Sequence, residues 1–153
     1  MTQAAGFYNT LMEGDEPGIV IEPLNAYRLK EKLPINLGEF KIKIGFVETL
    51  LIGSDITIVS YGSTLRIVEE VAKELIQFDI NSEIIDIQSL LPFDINQDIK
   101  KSVEKTGRIL IVDEDVPGGS SGYILQQLID EQNIFNLLDS PPFTISAKEH
   151  RPA

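Results

Sequence analysis

The apolar positions change period several times along the chain, and each change marks an element. From Phe40 the residues alternate: Phe40, Ile42, Ile44 and Phe46 are apolar, while Glu39, Lys41 and Lys43 between them are charged. A two-residue period suits a strand with one wet face, continuing as extended chain from Val47 to Ile52. Gly53-Ser54-Asp55 turns the chain, and Ile56-Thr57-Ile58-Val59-Ser60-Tyr61 is a β-branched run of the kind buried in a sheet. The period then lengthens. Leu65, Val68, Val71, Ala72, Leu75 and Ile76 form one stripe, with Glu69, Glu70, Lys73 and Glu74 opposite. This predicts a helix from Leu65 to about Phe78, entered through a turn at Gly62, with Ser63 or Thr64 placed to cap it.

Glu83 to Ile87 reads as the next strand, and Pro92 marks a loop. Asp94 or Asn96 can cap a second helix ending near Thr106, with Ile95, Ile99 and Val103 inward and Gly107 at the left-handed stop. Lys100, Lys101 and Lys105 lie toward its carboxyl end, where the helix dipole favours cations. Ile109-Leu110-Ile111-Val112 is a strand, Asp113 to Gly119 a loop, and Ser120 or Ser121 starts a helix to about Glu131. Phe143 to Ala147 follows Pro141-Pro142 as a last strand. Strand and helix thus alternate three times, which predicts an α/β fold: a mostly parallel sheet of about five strands with helices on both faces.

The amino-terminal part is different. Ala4, Ala5, Tyr8, Leu11 and Met12 recur at helical spacing until Gly14-Asp15-Glu16-Pro17-Gly18 breaks the pattern. A short β-like run, Ile19-Val20-Ile21-Glu22, ends at Pro23, and a charged stretch from Arg28 to Lys32 leads to Pro34. One helix and one strand cannot bury much surface, so 1–39 is expected to be the end of something larger, or a linker, and 40–153 a domain of its own.

Composition narrows the chemistry. With no cysteine, disulfides, thiolate metal sites and cysteine nucleophiles are excluded. The longest apolar runs fall far short of the ~20 residues that span a bilayer, and no secretory signal is expected from the first residues. The formal charge of −11 repels nucleic acid and anionic lipid and favours basic partners.

Three segments at strand ends invite sharper readings, because ligands of open α/β sheets bind beyond the carboxyl ends of the strands. Tyr61-Gly62-Ser63-Thr64 is similar to a flavodoxin phosphate loop, yet Leu65, Arg66 and Ile67 stand where that pattern needs a second glycine and hydroxyl. Ile109 to Asp115 resembles the first strand of a response-regulator receiver, but no later apolar strand ends in the aspartate a receiver needs. Gly118-Gly119-Ser120-Ser121-Gly122 lacks dinucleotide or Walker spacing and suits close helix packing. His150, the one histidine, lies in the tail among Lys148, Glu149 and Arg151, which suits neither a catalytic triad nor a metal site.

Four segments together carry a resemblance. Gly53 to Gly62, Glu83 to Asp94 and Ser102 to Arg108 resemble successive parts of the transketolase-like carboxy-terminal domain, and Ile21 to Arg28 resembles the segment closing the preceding pyrimidine-binding domain. Their order is similar to that in the β subunit, or β half of a fused chain, of thiamine-diphosphate-dependent 2-oxoacid dehydrogenases of the pyruvate or branched-chain type. The resemblance implies a Rossmann-like three-layer fold, with 1–39 a remnant of the pyrimidine-binding domain and linker. It implies a parent enzyme that oxidatively decarboxylates a 2-oxoacid and passes the acyl group to lipoyl groups, using thiamine diphosphate and magnesium. In this chain no cofactor, catalytic or metal residue is expected, and the chain by itself is expected to be an inactive piece. Its role would be assembly with an α subunit or α half and a second β subunit, and docking to the acyltransferase subunit-binding domain, with Asp113, Glu114 and Asp115 as contacts. Gly62, Ser63, Pro92, Asp94, Gly107, Gly118 and Gly119 are expected as structural turns and caps. The setting implied is the bacterial cytoplasm, or the mitochondrial matrix in a eukaryote. A flavodoxin-like ligand binder, or a transketolase or 1-deoxyxylulose-phosphate synthase relative, is the alternative.

Overall fold

A computed structural model describes residues 2–30, 32 and 35–148. The chain divides into two compact units, Met1–Ile44 and Gly45–Ala153.

Among the described residues of the first unit, helix α1 (Thr2–Glu13) is the longest element. Its inner side is more polar than the periodicity suggests. Gly6 is buried, Tyr8 and Met12 are 44% and 84% exposed, and Asn9 donates to the carbonyls of Leu37 and Phe40 at 2.8 Å each. The Thr10 hydroxyl bonds the carbonyls of Gly6 and Ile42. The Ile42 N–H donates to the Gly6 carbonyl at 3.3 Å, so the alternating segment from Phe40 is not a strand: its bonded backbone groups meet α1 rather than a ladder. Ile19-Val20-Ile21 is likewise not a strand, and Ile19 and Ile21 are almost fully exposed. A single 3-10 turn, Leu24–Arg28, follows.

The second unit carries a five-stranded sheet of order β1-β3-β2-β4-β5. Its strands are β1 (Glu48–Leu51), β2 (Ile56–Ser60), β3 (Ser82–Asp86), β4 (Ile109–Val112) and β5 (Phe143–Ile145). Only β1 is antiparallel, pairing β3 across a register shift between Thr49 and Leu51; the other pairs are parallel. Neighbouring residues of a strand point to opposite faces, so two cores form. On one face α2 (Thr64–Leu75) packs Val68 and Ala72 onto Ile58 and Ile84. On the other, α3 (Asp98–Thr106) and α4 (Ser120–Gln126) bring Ile99, Val103 and Ile124 onto Val59, Ile85 and Ile111. Burying a side chain of this size contributes about 1.5–3 kcal/mol each. The mostly parallel, helix-flanked α/β sheet therefore stands as the sequence implied.

Local chemistry sets the helix ends. The buried Asp94 carboxylate accepts the N–H groups of Asp98 and Ile99 at 2.9 and 3.0 Å, so α3 starts at Asp98, leaving Ile95 outside it and 56% exposed. Ile95 is thus not part of the inner face. Gly107 closes α3 at φ 65°, its N–H on the Val103 carbonyl at 2.8 Å. Beyond α4 the chain widens into a π-helical turn, Gln127–Glu131, from which the Gln132 amide reaches Asp94 at 3.0 Å. Pro92 follows a cis peptide bond, and its carbonyl accepts the Ser89 hydroxyl at 3.0 Å.

Candidate functional site

In this strand order the chain steps from β2 to β3 on one side and returns to β4 on the other. The switch point therefore lies beyond the carboxyl ends of β2 and β4, where a crevice is expected. Two loops meet there: Tyr61 to Thr64 after β2, and Asp113 to Gly119 after β4.

Asp113 organises both. It is 3% exposed, and its Oδ1 accepts the Tyr61 hydroxyl at 2.5 Å and the Asp115 N–H at 2.9 Å, while Oδ2 accepts the Ser121 N–H at 2.8 Å. Burial pushes this carboxyl up, but hydrogen bonds from Tyr61, Asp115 and Ser121 outweigh it and hold it below its ordinary range. Burial and the bond to Asp113 raise the Tyr61 hydroxyl far above its usual range, so it stays a neutral donor. The expectation that Asp113 meets a partner directly is thereby corrected: its oxygens are spent inside the protein. Glu114 and Asp115 are exposed. The Ser63 hydroxyl bonds the Glu114 carboxylate, and Asp115 Oδ1 accepts the Val116 N–H at 2.7 Å.

Ser63 stands at the helix start but makes no side-chain cap, contrary to expectation; its hydroxyl is taken by Glu114. Thr64 turns back instead, donating to the Tyr61 carbonyl at 2.7 Å. Gly62 and Gly118 have φ of 61° and 86°, which glycine adopts without strain. Gly119 precedes α4, and a Cβ there would lie 2.4 Å from Asp115 Oδ2.

The donor set decides what this crevice can hold. A phosphate or diphosphate is favoured by N–H groups and cations, whereas the exposed side chains of the second loop include the carboxylates of Glu114 and Asp115. Among the described residues no group of three acidic or histidine side chains could hold a metal ion, and His150 lies outside them.

Sequence patterns missed two polar clusters. At the amino ends of the strands Glu83, buried at 5% exposure, pairs with Lys105 and accepts the Gly53 N–H at 3.2 Å. Beside it the Thr57 hydroxyl meets those of Ser102 and Thr106 at 2.6 and 2.7 Å. At the carboxyl end of β3, Asp86 is 6% exposed and stands opposite Glu48 of β1. A charged residue inside a β-branched run was the available signal in both cases.

The pattern that defines the transketolase C-terminal domain matches residues 45–153, the second unit almost residue for residue. The chain belongs to the transketolase C-terminal domain family. It is 35% identical over 144 residues to the pyruvate dehydrogenase E1 component subunit beta of Mesostigma viride, covering 94% of this chain and 43% of that one. It is 34% identical to the chloroplastic subunit beta-2 of Arabidopsis thaliana, covering 95% of this chain and 35% of that one, and 31% identical to the subunit beta of Acholeplasma laidlawii, covering 90% and 42%. The chain thus spans less than half the length of these relatives. Among solved structures, a split-gene transketolase, an inactive beta4 tetramer, shares the transketolase C-terminal fold at a TM-score of 0.60 and 23% identity, covering 73% of this chain and 35% of that one.

Proposed function

We propose that this chain is the carboxy-terminal part of the β subunit, or β half, of a thiamine-diphosphate-dependent 2-oxoacid dehydrogenase, where it serves assembly and docking rather than chemistry. The observation that carries this reading is the similarity to E1 beta subunits over 94% of the chain. Residues 1–39 then belong to the preceding pyrimidine-binding domain and linker. The parent enzyme oxidatively decarboxylates a 2-oxoacid, pyruvate in first place and a branched-chain oxoacid in second, and transfers the acyl group to lipoyl groups. Thiamine diphosphate and magnesium are held by parts of the parent outside this chain. An α subunit, a second β subunit and the acyltransferase subunit-binding domain are its partners, in a bacterial cytoplasm or a eukaryotic organelle.

Charge supports the docking half. The formal charge of −11 favours a basic partner, and complementary charge speeds and orients such encounters. Glu114 and Asp115 present exposed carboxylates at the switch point, on a loop that Asp113 braces from beneath. The test is calorimetric titration of the chain with a cognate acyltransferase subunit-binding domain at low salt. We expect a complex that weakens with salt and loses about tenfold in affinity when Glu114→Lys and Asp115→Lys are combined. No complex, or one indifferent to both reversals, removes the docking role assigned to this loop.

A further inference from the structure

Edge strand β1 is the one antiparallel strand of the sheet, and it meets its neighbour through an acidic contact. Glu48 lies directly opposite Asp86 in the β1–β3 ladder, which is four residues long on the β1 side and broken by a register shift. Directly opposed like charges destabilise a strand pair. The face is set by alternation: Asp86 points with Ile84 toward α2, and Glu48 with Leu50. From α2 the carboxylate of Glu69 acts on the same spot, from β2 the register partner is the uncharged Ser60, and from the chain after β3 comes the Gln88 amide. The Ser60 hydroxyl is committed elsewhere, to Thr64 at 2.7 Å and the Val112 carbonyl at 3.0 Å. The Gln88 amide donates to Glu48 at 2.5 Å.

We propose that Asp86 is a proton-operated latch for strand β1, closed when its carboxyl is protonated and loosened when the carboxyl ionises between Glu48 and Glu69. Burial, with smaller contributions from the charges of Glu48 and Glu69, raises this carboxyl to about 6, against the pull of the Gln88 hydrogen bond. The sign follows from linkage. The closed state holds the proton more tightly than a state with β1 detached and Asp86 in water, so raising the pH favours detachment. Around neutral pH the strand is therefore held by its backbone ladder and by Leu50 against an opposing charge, and mild acid removes that opposition.

The test is amide hydrogen exchange of the full chain, corrected for intrinsic rates, comparing Thr49–Leu51 with the central strand β2. We expect β1 protection relative to β2 to fall about tenfold from pH 5 to pH 8, the factor for a carboxyl moving between about 6 and its ordinary 3.8. Asp86→Asn is expected to keep β1 protected at both pH values, and Glu48→Gln to reduce the fall. Equal relative protection at pH 5 and pH 8 in the natural sequence, or an undiminished fall in Asp86→Asn, overturns the latch. Should Asp86→Asn fail to fold, carbon-13 titration of the Asp86 carboxyl in the natural sequence decides. A midpoint near 6 supports the latch, and one near 4 overturns it.

Discussion

Two buried aspartates at strand ends are handled in opposite ways. Asp113 is given three donors and sits below the usual carboxylate range; Asp86 is given a buried place between two like charges and sits above it. Removing the first carboxylate leaves the N–H groups of Asp115 and Ser121 and the Tyr61 hydroxyl without acceptors. Asp113→Ala is therefore expected to cost about 3 kcal/mol in urea unfolding, and a loss under about 0.5 kcal/mol would contradict the bracing role. The pH dependence carries both signs. The stability from Asp113 is present at neutral pH and lost as the pH falls through its depressed value. The raised carboxyl of Asp86 instead stabilises the folded chain as the pH falls, by about 1 kcal/mol between pH 7 and pH 5. A denaturant midpoint that peaks near pH 5 is the expected outcome; a peak at or above pH 7 would go against it.

Elements inherit their limits from single side chains. Helix α3 begins where the Asp94 carboxylate meets two backbone N–H groups, and the same carboxylate takes the Gln132 amide from the π-helical turn after α4. One side chain thus joins the start of α3 to the end of the neighbouring helix. Asp94→Ala should cost about 2 kcal/mol in thermal or denaturant unfolding, while Asp94→Asn, which keeps an acceptor, should cost less. Equal losses in the two variants would show that geometry at φ 34°, not acceptance, is what this position supplies.

At the scale of the molecule, both apolar cores lie within the second unit, one on each face of the sheet. A chain of residues 45–153 is accordingly expected to unfold in one cooperative transition by calorimetry, with calorimetric and van't Hoff enthalpies in agreement. A broad, non-cooperative melt would mean that the first unit supplies part of the core. Neither thiamine diphosphate with magnesium nor flavin should raise the melting temperature, since the exposed carboxylates of Glu114 and Asp115 at the switch point disfavour a phosphate there; a clear rise with either would contradict this expectation.

The sequence by itself determined the α/β alternation, the stripe of α2, the bounds of β4, the stop at Gly107 and the family resemblance, because each depends on residues near one another in the chain. Only the tertiary structure decided what depends on distant partners. The alternation from Phe40 looked like a strand, yet its bonded backbone groups go to Gly6, Asn9 and Thr10 of α1, and side-chain period carries no information about a backbone partner. Asp113 was expected as a contact for a partner, yet it is buried and accepts from Tyr61, 52 residues away, and from the Ser121 N–H. Asp86 looked like one polar residue in a strand, and its carboxyl is raised only because folding buries it and, to a smaller extent, sets Glu48 opposite it. Charge can be counted along a chain, but its energy depends on what folding places beside it.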